Sequence, residues 1–219
     1  MLTKSLFCKA LYTLLGVLFL SSASLNAQNG LVLKGGANYN YLGYDFEEGY
    51  GDRFGYTAGL AGLFTVSPSF IISPELAFSR RSIELFTPVY LDGNPSFIDT
   101  DVRLGLNYVD VPLHFGYGYL PGSEGAPEAS LLLFYAGPQL SFLTSQKNQL
   151  LVNNNKIDLG EFDEIRNTLI ALNLGISAGI KGFYADLRYS LPVNSLLKGD
   201  HRGDGLTTMA ITIGYSFIF

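Results

Sequence analysis

The sequence is poor in several residue types that small exported proteins and enzymes commonly use. Its 219 residues include one cysteine, two histidines and no tryptophan. A single cysteine excludes an internal disulfide framework. After residue 25, no uninterrupted apolar run reaches the roughly 20 residues that a membrane-spanning helix requires, although 47% of the residues are hydrophobic. The apolar residues are therefore spread along the chain, as they are in alternating β-strands.

Basic residues are also scarce. Lysine and arginine together number 14 against 19 acidic residues, so the formal net charge is −5. A chain with this balance and no basic stripe is a poor candidate for binding nucleic acid. The glycines form neither a Walker nor a dinucleotide-binding pattern, and no histidines and acids have a spacing specific for a metal. We therefore expect no nucleic acid partner, no cofactor and no metal.

The chain begins with the pattern of a secretory signal peptide. Two lysines precede an apolar segment from Leu11 to Leu20, and residues 25–27 form a small-residue cleavage site. This order is typical of exported proteins, and the apolar segment is short for a membrane anchor. We predict a signal peptide over residues 1–27, export by that peptide, and a single domain over residues 28–219.

Eight stretches of the remaining chain alternate large apolar residues with small or polar ones, with the period of a β-strand. They cover approximately residues 31–41, 54–66, 70–85, 102–119, 130–144, 168–180, 182–193 and 206–219. In the last stretch every second residue from Met209 to Phe219 is large and apolar. A weak helical pattern over Leu159–Arg166 lies inside a long predicted loop.

The second face of these strands indicates what the apolar face contacts. In a soluble barrel the apolar side chains point inward and the other face meets water, so that face should carry many charges. Here it is mostly Gly, Ala, Ser and Asn, which suit the crowded interior of a narrow barrel. The apolar face then points outward to lipid, and a closed barrel satisfies the backbone hydrogen bonds within a bilayer. We predict an all-β, eight-stranded antiparallel up-and-down transmembrane barrel.

The connections between the predicted strands differ at the two ends of this barrel. The turns at the predicted periplasmic end are Ser67–Ser69, Leu120–Ala129 and Lys181-Gly182. The loops at the other end are Leu42–Arg53, Phe86–Asp101, Ser145–Asn167 and Asn194–Gly205. Short turns at one rim and long loops at the other are typical of the outer membrane of Gram-negative cells, where we expect the protein to lie.

Several charged or titratable side chains fall on the inward face of the predicted strands. They are Lys34, Glu75, Arg81, Asp110, His114, Asp186 and Arg188. Buried charges are costly unless they are paired, and side chains can fill the interior of an eight-stranded barrel. We therefore predict a lumen closed by an ion-pair network. A narrow passive channel for ions or small solutes is the alternative.

The long loops carry apolar residues, among them Tyr90, Phe97, Leu151 and Phe162. Exposed apolar clusters often mark interaction sites, and loops on a rigid scaffold often carry function. These residues therefore predict a surface for a protein partner, or else a set of side chains that pack on one another and cap the barrel.

Catalysis is the third hypothesis. A lipid-modifying enzyme would need a histidine with nearby carboxylates at the outer rim. His114 falls on the lumen face instead, and His201 lies in the loop Asn194–Gly205 with Asp200 and Asp204. Such a loop is more often a solvated turn, so we expect a non-enzymatic protein with no catalytic residues.

The carboxyl-terminal strand indicates two further partners. Tyr215, Phe217 and Phe219 fall on the predicted lipid face, so outer-membrane lipid is the expected contact. The terminal Phe219 resembles the carboxyl-terminal aromatic signal by which the barrel assembly machinery recognises its substrates.

Several strands resemble one family closely enough to name it. The stretches "LVLKGGANYN", "GYTAGLAG", "ISPELAFSRR", "LNYVDVPLHFGY" and "FYADLRYSL" resemble strands of the small outer-membrane β-barrels of Bacteroidetes-type bacteria, the PorT-like or "porin family" barrels. The resemblance covers nearly the whole chain after residue 27 and implies an outer-membrane barrel. PorT is linked to a secretion system, so the resemblance also implies a possible accessory role to surface or secretion machinery.

Overall fold

The computed structural model describes residues 29–42, 50–91, 94–119, 130–152, 155–198 and 205–218. Nine strands run through them: β1 (Asn29–Leu42), β2 (Tyr50–Ser67), β3 (Phe70–Leu91), β4 (Asn94–Tyr119), β5 (Ser130–Val152), β6 (Asn155–Gly160), β7 (Thr168–Ile180), β8 (Phe183–Pro192) and β9 (Leu206–Ile218). Within the described ranges, no helix is long and apolar enough to cross a membrane. The helical pattern over Leu159–Arg166 was misleading, because β6 extends to Gly160 and an irregular segment follows it.

Eight of the nine strands form a closed antiparallel barrel. Each strand pairs with its neighbours in the order β4-β3-β2-β1-β9-β8-β7-β5, and the pairing of β4 with β5 closes the ring. The first and last strands pair from Gly30↔Ile218 to Leu42↔Leu206. The predicted all-β, eight-stranded barrel is therefore confirmed. Strand β6 pairs with β5 alone and lies outside the ring.

The two ends of the barrel are built differently. Between β7 and β8, Lys181 and Gly182 both have positive φ, at 52° and 90°, which is the geometry of a two-residue hairpin turn that follows the twist of the strands. Residues 68–69 form a similarly short turn between β2 and β3. Because short turns mark the periplasmic end of such barrels, the opposite end is the extracellular one.

Two predicted loops at the extracellular end were wrong. The range Phe86–Asp101 is mostly strand, because β3 and β4 remain paired from Phe86↔Asp101 to Leu91↔Asn94. The range Ser145–Asn167 also begins as strand, since β5 continues to Val152 and β6 pairs back onto it. Both segments contain β-branched and aromatic residues, which favour extended backbone.

These segments form an extracellular sheet that rises above the closed ring. Pairing of β2 with β3 ends at Tyr50↔Leu85, and pairing of β5 with β7 ends at Phe142↔Thr168. Toward the extracellular side of these last pairs, a four-stranded sheet continues, formed by β3, β4, β5 and β6. Strand β5 extends ten residues past Phe142, or about 30 Å along the strand at 3.3 Å per residue.

Alternation along the strands divides the side chains between lipid and lumen. On β9 Ile211 and Ile213 are 63% and 69% exposed, while Thr212 between them is buried. Strand β8 shows the same division, with Leu187 exposed between the buried Asp186 and Arg188. The apolar side chains thus form an outward belt of the kind that contacts lipid, and the polar side chains fill the interior.

Candidate functional site

All of the predicted inward charges lie buried in the lumen. The period of two in each strand points the side chains of Lys34, Glu75, Arg81, Asp110, His114, Asp186 and Arg188 away from the lipid belt, and each residue is at most 8% exposed. They come from the four strands β1, β3, β4 and β8, and β5 and β7 contribute neutral partners. They form two ion groups that fill the middle of the barrel.

Glu75 is the centre of the first ion group. Its Oε2 lies 2.9 Å from Lys34 Nζ and 2.6 Å from Arg188 Nη2. Arg188 Nη1 donates a second hydrogen bond to Oε1 at 3.3 Å, so the guanidinium and carboxylate meet through two bonds, the strongest arrangement for this pair. One acid on β3 is therefore held by two cations, from β1 and from β8.

Asp186 completes the first ion group. Lys34 Nζ lies 3.4 Å from its Oδ1. Neutral donors surround the other oxygen, since the Tyr135 hydroxyl donates to Oδ2 at 2.6 Å and the Ser177 hydroxyl does so at 2.9 Å. The Tyr184 hydroxyl in turn donates to Ser177. A buried carboxylate needs several such bonds to offset its lost hydration, and Asp186 has them.

The second ion group lies nearer the extracellular end. Arg81 Nη2 is 2.7 Å from Asp110 Oδ1, and the Ser79 hydroxyl donates to Oδ2 of the same acid at 2.6 Å. The Arg81 guanidinium also lies 4.7 Å from the centre of the Tyr108 ring, within the range of a cation–π contact. The two groups together contain three cations and three carboxylates, so their formal charges cancel.

His114 lies beside the first ion group and is a hydrogen-bond acceptor. Asn173 Nδ2, which can only donate, is 3.0 Å from His114 Nε2 and 2.8 Å from Gln139 Oε1. The ring proton therefore lies on Nδ1, which faces Glu75 Oε2 at 4.0 Å. The histidine lies in the middle of the lumen, where its ring contacts that of Tyr135 with 4.5 Å between ring centres and a tilt of 41°.

Apolar side chains close the lumen on both sides of the charged layer. The periplasmic cluster consists of Val32, Ala61, Leu63, Ile71, Leu131, Leu133 and Tyr184. The extracellular cluster consists of Leu42, Ile83, Leu104, Leu106, Tyr108, Ile165, Leu169, Leu196 and Leu206. Neither cluster was predicted from the sequence, where the inward face was interpreted as small and polar. The signal was present in "SLLLFYAG", where both faces of β5 are apolar.

Two extracellular segments contribute to the extracellular apolar cluster and cap the barrel. They are residues 161–167, between β6 and β7, and residues 193–198, which follow β8. Ile165 and Leu196 are each 1% exposed, and Ile165 pairs with Leu197 as an isolated bridge. The Arg166 amide donates to the Leu196 carbonyl at 2.8 Å. Both segments therefore fold over the mouth and insert an apolar side chain into it.

A small cavity lies between the two ion groups. Its volume open to the centre of a water molecule is about 20 Å³, and Lys34, Glu75, Arg81, Asp110 and Arg188 are among the residues that line it. A single water needs roughly 10–15 Å³ by this measure. The cavity can accommodate one water molecule, which is far less than a continuous aqueous pore.

The four residues predicted for a loop surface lie on different elements of the extracellular end. Phe162 is half-buried and packs against the extracellular apolar cluster, so it belongs to the cap. Tyr90 and Phe97 lie in the β3–β4 hairpin, and Leu151 lies in β5 opposite Lys156, so all three belong by backbone to the extracellular sheet.

The predicted lipid face at the carboxyl terminus points outward. Tyr215 and Phe217 are 44% and 47% exposed, and their rings meet edge to face at 5.0 Å. Phe183 packs on Tyr215 at 5.9 Å from the neighbouring strand. These rings lie close to the short β7–β8 turn, at the periplasmic border of the belt. Phe219 lies outside the described residues.

A third ion group lies on the outside of the barrel, above the lipid belt. Glu84 accepts hydrogen bonds from Arg53 Nε at 2.8 Å and from Arg103 Nε at 2.7 Å. Burial raises the pKa of the Glu84 carboxyl, but the bonds to both guanidiniums and their charges outweigh this and hold its pKa below the usual value. Sequence reasoning did not identify this group, because it considered inward charges alone.

The described residues contain no group of three or more histidines, cysteines and acids that could hold a metal ion. His201 and its neighbours Asp200 and Asp204 lie outside the described residues. The catalytic arrangement considered for that loop is therefore not described by the structure.

Comparison with known proteins agrees with this architecture. The pattern that defines the outer membrane protein β-barrel domain matches residues 23–198. A search of curated proteins gave no match. Among solved structures, Neisserial surface protein A is similar at a TM-score of 0.45 and 8% identity, over 87% of this chain and 97% of its own.

Two other solved barrels are similar at comparable levels. The attachment invasion locus protein Ail of Yersinia pestis, solved with the heparin analogue sucrose octasulfate, has a TM-score of 0.41 and 12% identity over 88% of this chain and all of its own. OprG of Pseudomonas aeruginosa has a TM-score of 0.42 and 10% identity over 88% of this chain and 97% of its own. The family and the fold support an outer-membrane location. Because the family pattern covers well over half of the sequence, this chain belongs to the family of outer membrane protein β-barrel domains.

Proposed function

We propose that this protein is a non-enzymatic outer-membrane barrel with a filled lumen, and that it acts by binding a protein partner through its extracellular sheet. The observation that carries the proposal is the filling of the lumen. A charge-balanced layer of three cations and three carboxylates lies between two apolar clusters, and the cavity within it admits one water. With the interior occupied, the extracellular surface remains as the place for function.

The extracellular sheet offers a specific means of binding. Strand β6 pairs with β5 on one side, and within the described residues its other edge has no strand partner. Lys156, Ile157 and Asp158 on it are exposed. An unpaired edge presents backbone donors and acceptors to which an extended segment of another protein can add. The resemblance to PorT-like barrels supports an accessory role to surface or secretion machinery as the setting for such a contact.

A trimmed hairpin would test the partner hypothesis. Gln149 and Asp158 are cross-strand partners, so residues 150–157 can be replaced by Asn-Gly, which favours a two-residue hairpin turn. We expect this variant to keep the slow gel migration of an unheated folded barrel. It should lose cross-linking to a neighbour from a photoreactive residue at position 158. If the cross-linked neighbour is retained after trimming, β6 is not the binding edge.

A matched control uses the neighbouring hairpin. Phe86 and Asp101 are also cross-strand partners, so residues 87–100 can be replaced by Asn-Gly in the same way. A partner that adds to β6 should remain bound in this variant. Loss in both variants would instead indicate that the whole extracellular sheet is recognised.

A narrow channel is the competing function, and the polar cavity is the observation that favours it. Purified protein in planar bilayers should show no stable unitary openings if the lumen is filled. The cap offers a comparison, because Ile165→Gly with Leu196→Gly removes the two side chains inserted into the mouth. Stable openings in the unmodified protein would overturn the filled-lumen proposal, whereas openings confined to this variant would agree with it.

The non-enzymatic part of the proposal requires its own test. Lipid A from cells with and without the protein should have the same mass spectrum. A modification that depends on His201 would overturn it.

A further inference from the structure

The outer face of the barrel carries a group of basic side chains directly above the lipid belt. On β3 the belt ends at Phe78, whose ring lies 6.3 Å from that of Tyr56 on β2. The next outward residue on β3 is Arg80, two residues or about 7 Å further along the strand. Arg53, Arg80, Arg103 and Lys147 come from the four adjacent strands β2 to β5. We call these four residues and Glu84 the basic cluster.

Gly105 forms the floor of the basic cluster. A Cβ added at this glycine would lie 3.0 Å from Arg80 Nη2 and 3.2 Å from the Lys147 carbonyl. Lys147 is the cross-strand partner of Gly105, and Arg103 is two residues away on the same face of β4. Three cationic residues therefore surround a position without a side chain. The Arg80 guanidinium extends away from the apolar belt to reach it.

The cluster has more positive than negative charge. Four cations surround a single carboxylate, and Glu84 is occupied by Arg53 and Arg103. Within the described residues no carboxylate lies within 4.0 Å of Arg80 or Lys147. The side chains of Arg53 and Arg103 are about one third exposed, at 32% and 33%, and Lys147 is exposed. Donors thus remain available to a ligand at the surface.

On the opposite side of the barrel, the outward residues at the same height above the lipid belt are of a different kind. The outward positions there are occupied by Tyr39, Tyr189 and Met209, which are neighbours across β1, β9 and β8. The other basic residues of the described extracellular end belong to the cap or to β6. Arg166 donates to the Leu197 carbonyl, Lys198 donates to the Asp163 carbonyl, and Lys156 lies on β6. Among the residues that the structure describes, the positive charge next to the belt is therefore confined to one side.

We propose that the basic cluster binds the phosphate groups of a phosphorylated glycolipid in the outer leaflet. The acyl chains of such a lipid would lie on the apolar belt below Phe78, and its phosphates would lie at the level of Arg80 and Gly105. Guanidinium groups match phosphate oxygens through two parallel hydrogen bonds, and lysine adds a point charge. Basic residues beside a membrane surface attract anionic headgroups in the same way.

The test uses the complete chain folded into phosphatidylcholine bilayers that contain a minor fraction of diphosphorylated lipid A. The measurement is the amount of lipid A that remains bound after mild detergent extraction, read by native mass spectrometry. The variant R80Q/R103Q/K147Q should bind about tenfold less than the unmodified protein, because charge-assisted contacts are replaced by neutral ones. Equal binding by this variant would overturn the proposal.

A matched control removes the same charge elsewhere. K156Q/K181Q/K198Q also removes three positive charges, from β6, the periplasmic turn and the cap, and should bind as the unmodified protein does. Equal loss in both triple variants would indicate a net-charge effect and contradict a specific site. The unheated gel migration of every variant shows whether the barrel has folded.

Two further arms distinguish the lipid chemistry. Lipid A without phosphates should not be retained; if it is retained equally, the acyl chains alone are recognised and the proposal fails. Phosphatidylglycerol, with one phosphodiester, should bind less than lipid A, and equal binding would overturn the assignment to a glycolipid. G105V keeps every charge while filling the floor of the cluster, so it should also lower lipid A retention. Unchanged retention in G105V would exclude Gly105 from the site.

Discussion

Glu75 and Glu84 lie nine residues apart on β3, and each is held between two cations. Glu75 points into the lumen, where Lys34 and Arg188 lie 2.9 and 2.6 Å from Oε2. Glu84 points out of the barrel above the lipid belt, where Arg53 and Arg103 donate to it. Two positions separated by an odd number along a strand point to opposite faces. The same chemistry therefore occurs in two very different surroundings on one strand.

The difference between the two sites shows how the surroundings of an ion pair determine its contribution to stability. In the lumen the groups have lost their water, so each depends on its partners to offset the desolvation. At the outer surface the arginines are one third exposed, so water and salt can replace much of a lost partner. Removing a carboxylate should therefore be costly at Glu75 and much less costly at Glu84.

The largest effect is expected from Glu75→Gln. The substitution keeps the size of the side chain but leaves Lys34 and Arg188 facing an uncharged amide. Removal of one partner from a buried ion pair typically costs about 3–5 kcal/mol. The free energy of unfolding should fall by that amount. A urea titration of the barrel in lipid, followed by gel migration, would measure it.

A compensated variant serves as the control for that prediction. Replacing Glu75, Lys34 and Arg188 together with Leu, Met and Met removes the charges without leaving one unpaired. Such replacements are often neutral or stabilising, so much of the lost stability should return. If Glu75→Gln alone costs less than about 1 kcal/mol, the lumen is more hydrated than its burial indicates.

A smaller effect is expected from Tyr135→Phe. The Tyr135 hydroxyl donates to Asp186 Oδ2 at 2.6 Å, and a hydrogen bond to a charged group contributes about 1.5–3 kcal/mol. Asp186 keeps its bond from Ser177 and its contact with Lys34. The stability should therefore fall, but by less than in Glu75→Gln. The same urea titration would measure it.

Tyr189→Phe is the matched control for Tyr135→Phe. It also removes a tyrosine hydroxyl, but on the outward face, where that hydroxyl meets the Tyr41 hydroxyl. We expect the free energy of unfolding to fall by less than about 1 kcal/mol, as for the loss of a partly solvated hydrogen bond between neutral groups. An equal loss of stability in Tyr189→Phe and Tyr135→Phe would contradict the prediction that the hydrogen bond in the lumen contributes more than the one on the outward face.

The contrast between Glu75 and Glu84 also shows what the sequence could and could not predict. Glu75 was identified because β3 alternates clearly from Phe70 to Phe78, so its inward position follows from the period of two. The same period identified the barrel and the burial of Lys34, Arg81, Asp110, Asp186 and Arg188. The alternation of side chains along one strand does not predict which side chains meet across the lumen, because that depends on the stagger of all eight strands.

Glu84 was missed for a related reason. Glu84 and Arg103 fall in the predicted strands 70–85 and 102–119, but only the inward charges were considered, so the outward pair was overlooked. The continuous pairing of β3 with β4 to Leu91↔Asn94 brings them together. The apolar clusters were missed because inward Val32, Ile71 and Ile83 look like lipid-facing residues when one strand is considered alone.

The smallest effect is expected from Glu84→Gln. Glu84 is itself only 8% exposed, but both of its arginines are about one third exposed, so at neutral pH and low salt the stability should change by about 1 kcal/mol, near the upper value for a surface ion pair. High salt should reduce the difference from the unmodified protein, because ions screen exposed charges. Glu75→Gln should show little salt dependence, so the same titration at two salt concentrations separates the two sites. An equal salt response at both would contradict the comparison.

The pH dependence at Glu84 provides the finest test of the comparison. The guanidiniums of Arg53 and Arg103 hold the pKa of the Glu84 carboxyl below its usual value of 4.5. A depressed pKa in the folded state contributes stability that is fully present above 4.5 and is lost as the pH falls through the folded value. The small difference between the unmodified protein and Glu84→Gln should therefore be constant from pH 7 to about 5 and decrease below that. Because both arginines remain charged throughout, a difference that instead increased on acidification would show that Glu84 is not stabilised by them.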